Sequence, residues 1–365
     1  MLALCSSSCK ENKSDKKSSS NSTTRYAKGF DIEYNSTNYH KLTLYNPWNN
    51  YSPDKVFYIV NSDTVKTPMD GIKLITPIKS VMINSATYLG FLELLDELPS
   101  VVGSCNVNYI YNPTIIDGVK NLRVKDLGDS FNLNQEELMM LQPQLILSTA
   151  YSGDKREGEL FERMNINALF ATEWQEPTLL GRAEWIKCIG LLYNKIELAD
   201  SIFNKIESNY LEAIQLTEEI KNKPSVLSGQ DFRGTWSMPS GSSYSAELFR
   251  KAKLDYYYQE NKDFQGSIPS SIEEALVYFH EADLWLFTQE NSLDQLEQAN
   301  DKYKLFKAFR EANVYNTNKR VNEFGGNDYW EMGVARPDLL LKDVIKAAHP
   351  ELLPSYEFTF MNKLK

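Results

Sequence analysis

Residues 177–223 constrain the fold most, because they contain two consecutive helical patterns and no strand signal. In the second pattern, apolar residues recur at steps of three and four, which places them on one face of a helix. These residues are Ile196, Ala199, Ile202, Phe203, Ile206, Tyr210, Ala213 and Ile214. The pattern continues for roughly 27 residues, or about 40 Å at about 1.5 Å per residue. Such a helix is either a long surface helix or a spine between two domains.

Predicted strands alternate with predicted helices on both sides of this stretch. The strands are predicted at residues 80–83, 101–105, 144–147, 168–171, 224–227, 283–287 and 320–324. Such alternation is typical of parallel α/β sheets. We therefore predict two Rossmann-like α/β lobes, at 25–176 and 224–365, bridged by the single long helix of the segment 177–223. Residues 25–70 are predicted to form a β-rich extension of the first lobe.

The overall charge argues against nucleic acid as a partner. The 365 residues carry a formal net charge of −10, and no dense face of Lys and Arg stands out. Aromatic residues make up 12% of the chain and include 21 Tyr and 6 Trp. Because Tyr and Trp combine an apolar face with a polar tip, this composition suits a surface that binds a small molecule.

The sequence contains no recognisable catalytic or metal-binding motif. The histidines His40, His280 and His349 are not spaced with one another or with a cysteine as metal ligands are. The isolated Cys105 and Cys188 do not supply the ligands of an iron–sulfur cluster. Walker, dinucleotide-binding and nucleophile-elbow motifs do not occur. We therefore expect no resident metal or cofactor and no enzymatic activity.

Residues 1–24 resemble the end of a bacterial lipoprotein signal followed by a flexible tether. A short apolar piece and small residues lead into a cysteine, and a run rich in Lys, Ser and Asn follows. Cys9 is the preferred lipid-bearing residue because three serines precede it, and Cys5 is the alternative. Two ordinary surface cysteines are the competing interpretation. No other stretch of the sequence is apolar enough to span a membrane.

Aromatic residues recur in loops that follow predicted strands. They are Tyr109, Tyr111, Phe131, Tyr151, Trp236, Tyr329 and Trp330. Ligands of open α/β sheets bind beyond the carboxyl ends of the strands, so these loops line one cleft if the lobes face each other. Any one of them is more often a partly buried structural residue, but their shared position favours a large, flat ligand. Trp48, in the extension, either reaches this cleft or anchors the extension.

Several segments resemble, in the same order, the periplasmic substrate-binding proteins of ABC importers for iron chelates, haem and cobalamin. The similarity lies in INSATYLGFLELLDELPSVVG, DLGDSFNLNQEELMMLQPQLILSTAY, MPSGSSYSAELFRKAKLD, SSIEEALVYFHEADLWLFT and RPDLLLKDVIKAAHPEL. It covers residues 73–354, and Gln144 stands where the family usually has Asp. The resemblance implies two lobes around a ligand cleft, joined by a rigid helix that permits little hinge motion.

The resemblance also implies docking onto a membrane permease, driven by its ATPase, through one surface acid on each lobe. By position these acids are Glu157 or Glu159 on the first lobe, and Glu273 or Glu274 on the second. Exposed charge pairs steer and orient docking more than they add affinity. The competing interpretation of all four is a solvated acid at a helix start.

We therefore expect a monomeric, lipid-anchored protein of the periplasm or cell envelope that delivers a metal chelate to an ABC importer. A ferric siderophore is the leading ligand, ahead of cobalamin and haem. The predicted ligand contacts are Tyr109, Tyr111, Tyr151, Arg233, Trp236, Tyr329 and Trp330. Arg233 would pair with ligand carboxylates or phosphate, and Trp236 and Trp330 would pack on a ring system. A surface lipoprotein that serves an outer-membrane transporter is the alternative class.

Overall fold

The computed structural model of the chain describes residues 23–34, 38–154, 156–262 and 266–365. Within these ranges, two hydrophobic cores lie on either side of a pair of helices at residues 179–216. The predicted lipid-bearing Cys9 and its alternative Cys5 lie outside the described residues.

A mixed sheet precedes the parallel sheet of the first lobe. Its strands, in spatial order, are β1 (Phe30–Glu33), β2 (His40–Asn46), β3 (Ser52–Val60) and β4 (Ile72–Ile75). The first two pairings are antiparallel, and β3 and β4 pair in parallel. Phe30, Leu44 and Phe57 are buried in the same core as the parallel sheet. The predicted β-rich extension is therefore part of the first lobe and shares its core.

The first lobe continues with alternating strands and helices. These are β5 (Val81–Ile83), α1 (Thr87–Leu94), β6 (Val101–Ser104), α2 (Pro113–Lys120), β7 (Lys125–Asp126), β8 (Gly128–Asp129), β9 (Asn132–Leu133), α3 (Gln135–Leu141), β10 (Leu145–Thr149), α4 (Arg156–Arg163) and β11 (Ala168–Ala171). The sheet order β11-β10-β5-β6-β7 is parallel throughout. All five residues of β10 are buried, as expected for a central parallel strand covered on both faces. The carboxyl ends of these strands therefore meet at one edge.

The predicted bridging segment contains α5 (Leu179–Leu192) and α6 (Ile196–Leu216). In α6, Phe203 and Ile206 belong to the first core, and Tyr210 and Ala213 belong to the second. The start of α5 packs in the second core and the rest in the first, so the two helices run in opposite directions between the lobes. The bridge between two lobes is confirmed, and α5 is a second element of it.

The bridging helix α6 ends at Leu216, earlier than the expected run to residue 222. The side chain of Thr217 donates to the carbonyl oxygens of Ile214 at 2.8 Å and Lys251 at 2.9 Å. This tertiary bond to the second lobe fixes Thr217 in a turn. The periodicity of the sequence did not reveal it, because the contact with Lys251 is not local.

The second lobe repeats the α/β pattern with an added antiparallel sheet. Its elements are β12 (Val226–Ser228), β13 (Asp231–Phe232), β14 (Thr235–Pro239), α7 (Tyr244–Lys251), β15 (Ser267–Ser270), α8 (Ile272–Phe279), β16 (Leu284–Thr288), α9 (Leu293–Ala299), α10 (Lys307–Arg310), β17 (Val314–Asn316), α11 (Met332–Ala335), α12 (Pro337–Ala348) and β18 (Asn362–Lys363). Strands β12, β16 and β17 pair in parallel, and β18 joins antiparallel to β17. Strands β13, β14 and β15 form the antiparallel sheet.

The prediction of Trp236 as a ligand contact is wrong, because this residue lies in the core of the second lobe. Its side chain is 0% exposed. Its ring centroid lies 5.6 Å from that of Trp285, and its Nε1 donates to the Ser228 carbonyl at 2.8 Å. Trp236 and Met238 are buried along β14 while Thr235 and Ser237 are exposed. That period-two alternation is a strand signal within the presumed loop.

The predicted strand at residues 320–324 is also wrong. Asn322 Oδ1 accepts hydrogen bonds from the N–H groups of Phe324 and Gly326, which folds this stretch into a turn. The strand that precedes the turn is β17. Tyr329 and Trp330 therefore still follow a strand of the second parallel sheet, at a greater distance along the chain than predicted.

Candidate ligand-binding groove

Two aromatic residues lie just beyond the carboxyl ends of neighbouring strands in the first lobe. Tyr151 follows β10, and Trp174 follows β11 in a short 3-10 turn. The Trp174 Nε1 donates to the carbonyl oxygen of Ala150 at 2.9 Å, which fixes its indole against the loop that carries Tyr151. This is the edge at which α/β sheets bind their ligands.

Four aromatic rings form a continuous surface at this edge. Ring centroids lie 6.3 Å apart for Trp48 and Trp174, 6.4 Å for Trp174 and Tyr151, and 5.2 Å for Tyr151 and Phe131. Exposed fractions are 42% for Trp48, 49% for Tyr151 and 79% for Phe131. Trp48, Phe131 and Tyr151 line an open cavity of about 730 Å³, which we call the aromatic groove.

Charged side chains also line the aromatic groove. Lys55 forms a 3.0 Å ion pair with Glu162, and Arg156 forms a 2.5 Å ion pair with Asp154. Among the residues that the structure describes, both basic residues on the lining are therefore paired with acids on the same lining. Asp54, Glu157 and Glu159 are the other charged residues that the structure describes on this lining.

Glu157 is held in place by a relay of hydrogen bonds from the sheet. The Asn84 amide donates to Ser148 Oγ at 2.5 Å, and Ser148 donates in turn to the Glu157 carboxylate at 2.9 Å. Ser148 is fully buried on β10, so its hydroxyl proton has a defined direction. Burial raises the pKa of the Glu157 carboxyl, and the bond from Ser148 partly opposes that rise. These hydrogen bonds hold the Glu157 carboxylate in place on the lining of the groove.

A second contact region joins the two lobes. Asn322 Nδ2 donates to the Ile110 carbonyl at 2.7 Å, and the buried Glu331 carboxylate accepts the N–H groups of Tyr111 at 2.5 Å and Asn112 at 3.1 Å. We call this contact the interlobe seam. Burial of the carboxyl, with smaller contributions from nearby acids, raises the pKa of Glu331 to about 8.

The predicted ligand contacts fall into separate places. Tyr151 lies in the aromatic groove. Tyr111 lies at the interlobe seam beneath the Arg320 guanidinium, 5.6 Å from its ring centroid, and the neighbouring Tyr109 is 69% exposed. On the second lobe, the Tyr329 and Trp330 rings meet edge to face at 4.8 Å.

Arg233 lies exposed at the tip of the hairpin between β13 and β14. Its φ is 53° and that of Gly234 is 86°, as in the two-residue turns that connect tight hairpins. The guanidinium lies 5.1 Å from the ring centroid of Phe232. It is not on the lining of the aromatic groove.

The four predicted docking acids differ in their surroundings. Glu157 is half-buried and Glu159 is exposed, and both line the groove. Glu273 is exposed and forms a 2.5 Å ion pair with Lys302, which lowers its pKa. Glu274 accepts the Ser271 N–H at 2.9 Å in a capping box, and this backbone bond lowers its pKa.

Sequence reasoning missed Trp174 and the relay from Asn84, and it left the role of Trp48 open. Trp174 follows the predicted strand at 168–171, as the chosen aromatics follow theirs, so the same rule would have found it. The relay had no local signal, because Asn84 and Ser148 meet only through the pairing of β5 with β10.

Within the described ranges, no group of three or more His, Cys, Asp or Glu side chains is placed to hold a metal ion. Cys105 and Cys188 are free and buried. Among the helices of the described residues, none is both long and apolar enough to cross a membrane. The groove therefore offers aromatic faces and hydrogen-bonding groups to a ligand.

Two α/β lobes, a helical bridge and a groove at the edge of a parallel sheet define a two-lobed solute-binding protein. The chain belongs to the periplasmic binding protein family, whose model matches residues 81–321. An uncharacterized lipoprotein of Methanocaldococcus jannaschii is 27% identical over 310 residues, which cover 80% of this chain and 71% of that protein.

Solved structures share the fold at low sequence identity. An ABC transporter substrate-binding protein from Listeria monocytogenes superposes with a TM-score of 0.54 at 18% identity, covering 75% of this chain and 99% of that protein. The siderophore-binding protein FhuD of Vibrio cholerae, bound to Fe³⁺–Desferal, gives a TM-score of 0.55 at 14% identity, with coverage of 75% and 100%.

Proposed function

We propose that this protein captures a chelated metal compound, of the ferric siderophore type, and delivers it to an ABC importer. The observation that carries the proposal is the aromatic groove, which lies at the carboxyl edge of a parallel sheet in a member of this family. A cavity of about 730 Å³ falls within the range of about 300–1,000 Å³ that small-molecule sites occupy. The role is solute binding and not catalysis.

The chemistry of the groove supports an organic chelate over a bare metal ion. Tyr151, Phe131 and Trp48 present ring faces and edges that pack against an organic surface. The similar fold of FhuD, which holds Fe³⁺–Desferal, supports the same ligand class. Cobalamin and haem are the alternative ligands, and a haem-binding protein of Vibrio cholerae shares the fold at a TM-score of 0.55.

We infer a lipid anchor at Cys9, with Cys5 as the alternative, and a location in the periplasm or cell envelope. The Methanocaldococcus jannaschii relative named a lipoprotein supports this assignment. Glu159 and Glu273 are the better candidates for docking on the permease, because both are exposed whereas Glu157 is half-buried and Glu274 takes part in a capping box.

Isothermal titration calorimetry with ferric desferrioxamine, cyanocobalamin and haemin tests the ligand proposal. We expect ferric desferrioxamine to bind, and Tyr151→Ala to lose about 1 kcal/mol of binding free energy, or roughly fivefold in affinity. The matched control is Tyr278→Ala, since Tyr278 is exposed on α8 and does not line the groove. Absence of binding by all three compounds would overturn the proposal.

An uptake assay separates ABC import from the alternative of an outer-membrane partner. Glu273→Lys should abolish chelate uptake by cells while leaving calorimetric affinity unchanged, because charge reversal disrupts docking on basic permease residues and Glu273 does not line the groove. Unchanged uptake in this variant would favour the outer-membrane partner.

A further inference from the structure

We propose that the turn between β2 and β3, centred on Trp48, is a wall of the aromatic groove that selects ligands carrying a positive charge. This inference rests on the proposed function, because it concerns the same site. The turn belongs to the N-terminal extension, which precedes the residues matched by the family model. The wall is therefore specific to the extension and is not part of the family's matched core.

The turn is anchored firmly enough to act as a wall. Within the turn, Asn46 Oδ1 accepts the Trp48 N–H at 2.9 Å. On either side, the Tyr51 hydroxyl donates to the Gln175 carbonyl at 3.4 Å and Lys55 pairs with Glu162 at 3.0 Å. These bonds join the turn to the segment after β11 and to α4, and they place the Trp48 indole beside Trp174, with the ring centroids 6.3 Å apart.

The charges on the lining favour a cation. Within the described ranges, the lining contains the acids Asp54, Asp154, Glu157, Glu159 and Glu162, and the bases Lys55 and Arg156. Because each base is already paired with an acid of the lining, neither is available to balance Glu157 or Glu159. A ligand cation would supply the missing positive charge.

The aromatic rings add to the same preference. The faces of Trp and Tyr carry negative potential and attract ammonium groups within about 6 Å of the ring centroid. Trp48 and Tyr151 stand on the same lining as the Glu157 carboxylate that Ser148 fixes. Ring faces and an oriented carboxylate together favour an organic ammonium over a carboxylate-bearing ligand such as haemin.

A matched pair of chelates tests the charge preference. Ferric desferrioxamine carries a terminal ammonium, and its N-acetyl derivative is the same chelate without that charge. By calorimetry, we expect acetylation to weaken binding about tenfold in the wild-type protein. Trp48→Ala and Glu157→Gln should each bring the ratio of the two affinities towards one, whereas Trp48→Phe should retain part of it.

The controls separate a specific wall from a general loss of structure. Tyr278→Ala removes an exposed tyrosine on α8, and Glu197→Gln removes an exposed acid in the first turn of α6. Both should keep the tenfold ratio. Circular dichroism of the Trp48 and Glu157 variants should match that of the wild-type protein, so that a lost ratio reports on the groove.

A metal-free probe distinguishes failure of this inference from failure of the proposed function. We expect benzyltrimethylammonium to bind wild-type protein and to bind Trp48→Ala at least fivefold more weakly. If the ammonium binds but no chelate does, the proposed function is wrong and the role of the Trp48 turn is supported. If chelates bind with affinities that do not depend on their charge or on Trp48, the role of the Trp48 turn is wrong and the proposed function stands. If neither kind of compound binds, both proposals are wrong.

Discussion

The Glu331 carboxylate of the second lobe accepts a 3.1 Å hydrogen bond from the main-chain N–H of Asn112 in the first lobe. The Asn112 side chain caps α2 by accepting the Thr114 N–H, and its amide donates to Glu93. Asn112 thus caps a helix of the first lobe and also donates a hydrogen bond to the second lobe. The cap of α2 is thereby tied to the second lobe at the interlobe seam.

Removal of the Glu331 charge should change how stability depends on pH. The unfolded-state carboxyl titrates near 4.5 and the folded one at about 8, so the folded state holds an extra proton between these values. The contribution of Glu331 to stability is then fully present below about pH 4.5 and is lost as pH rises through that window, by up to about 1.4 kcal/mol per pH unit. In urea unfolding measured from pH 5.5 to 8.5, the free energy of unfolding of Glu331→Gln should therefore depend less on pH than that of the wild-type protein.

Glu351→Gln is the control for this pH series, because Glu351 is an exposed acid of the second lobe. Its unfolding curves should follow those of the wild-type protein at each pH. Parallel pH profiles for the wild-type and Glu331→Gln proteins would contradict the prediction.

The attachment of Tyr26 and Ala27 to α5 should depend on Glu184. This fully buried carboxylate accepts the N–H groups of Tyr26 at 2.7 Å and Ala27 at 2.9 Å, and it pairs with Lys187 at 3.0 Å. Glu184→Ala removes the acceptor of both N–H groups and leaves Lys187 its longer 3.4 Å ion pair with Asp200, so we expect a loss of about 3–5 kcal/mol in the free energy of unfolding. Glu212→Ala, an exposed residue of α6, should change it little. Urea denaturation compares the two, and equal losses would count against this role.

Trp236 and Trp330, which looked alike in the sequence, should differ in how much each contributes to the stability of the protein. Trp236→Ala removes a fully buried ring from the second core and should cost about 3–5 kcal/mol. Trp330→Ala removes a ring that is 51% exposed and should cost less than about 1 kcal/mol. Thermal unfolding measures both changes. If the Trp236→Ala protein were as stable as the Trp330→Ala protein, the burial of Trp236 in the second core would be contradicted.

The fold was predictable because its signals are local. The alternation of strands and helices identified both lobes, and the stripe that includes Phe203, Ile206 and Tyr210 identified the bridge. The end of the bridging helix was not predictable, because Thr217 is fixed by a bond to Lys251 in the second lobe.

The groove was only partly predictable because it is assembled from distant segments. Tyr151 was found through its position after a strand. The approach of Trp48 to Trp174 joins the extension to the turn after β11, and nothing in the local pattern specifies it. The prediction for Trp236 failed for the opposite reason, because a local signal was overlooked. A loop was assumed, although exposed and buried residues alternate along Thr235, Trp236, Ser237 and Met238 as they do in a strand.

Two glycines on opposite lobes permit the close approach at the interlobe seam. A Cβ on Gly90 of α1 would lie 2.5 Å from the Glu331 carbonyl oxygen, and a Cβ on Gly326 would collide with the Ile110 carbonyl oxygen. Both obstacles are backbone atoms, so the backbone on one side of the seam must shift. Gly90→Ala and Gly326→Ala should each cost about 1–3 kcal/mol of stability.

Small-angle scattering should reveal the separation directly. With the seam intact and α6 continuous between the cores, the wild-type radius of gyration should change little when ligand is added. Gly326→Ala should enlarge the free protein and increase its compaction on binding, because its clash loosens the contact that holds the lobes at a set distance. Gly333→Ala is the control, since its Cβ meets atoms only at ordinary contact distances of 3.6 Å or more. A large ligand-induced compaction of the wild-type protein would show that the seam does not restrain the lobes.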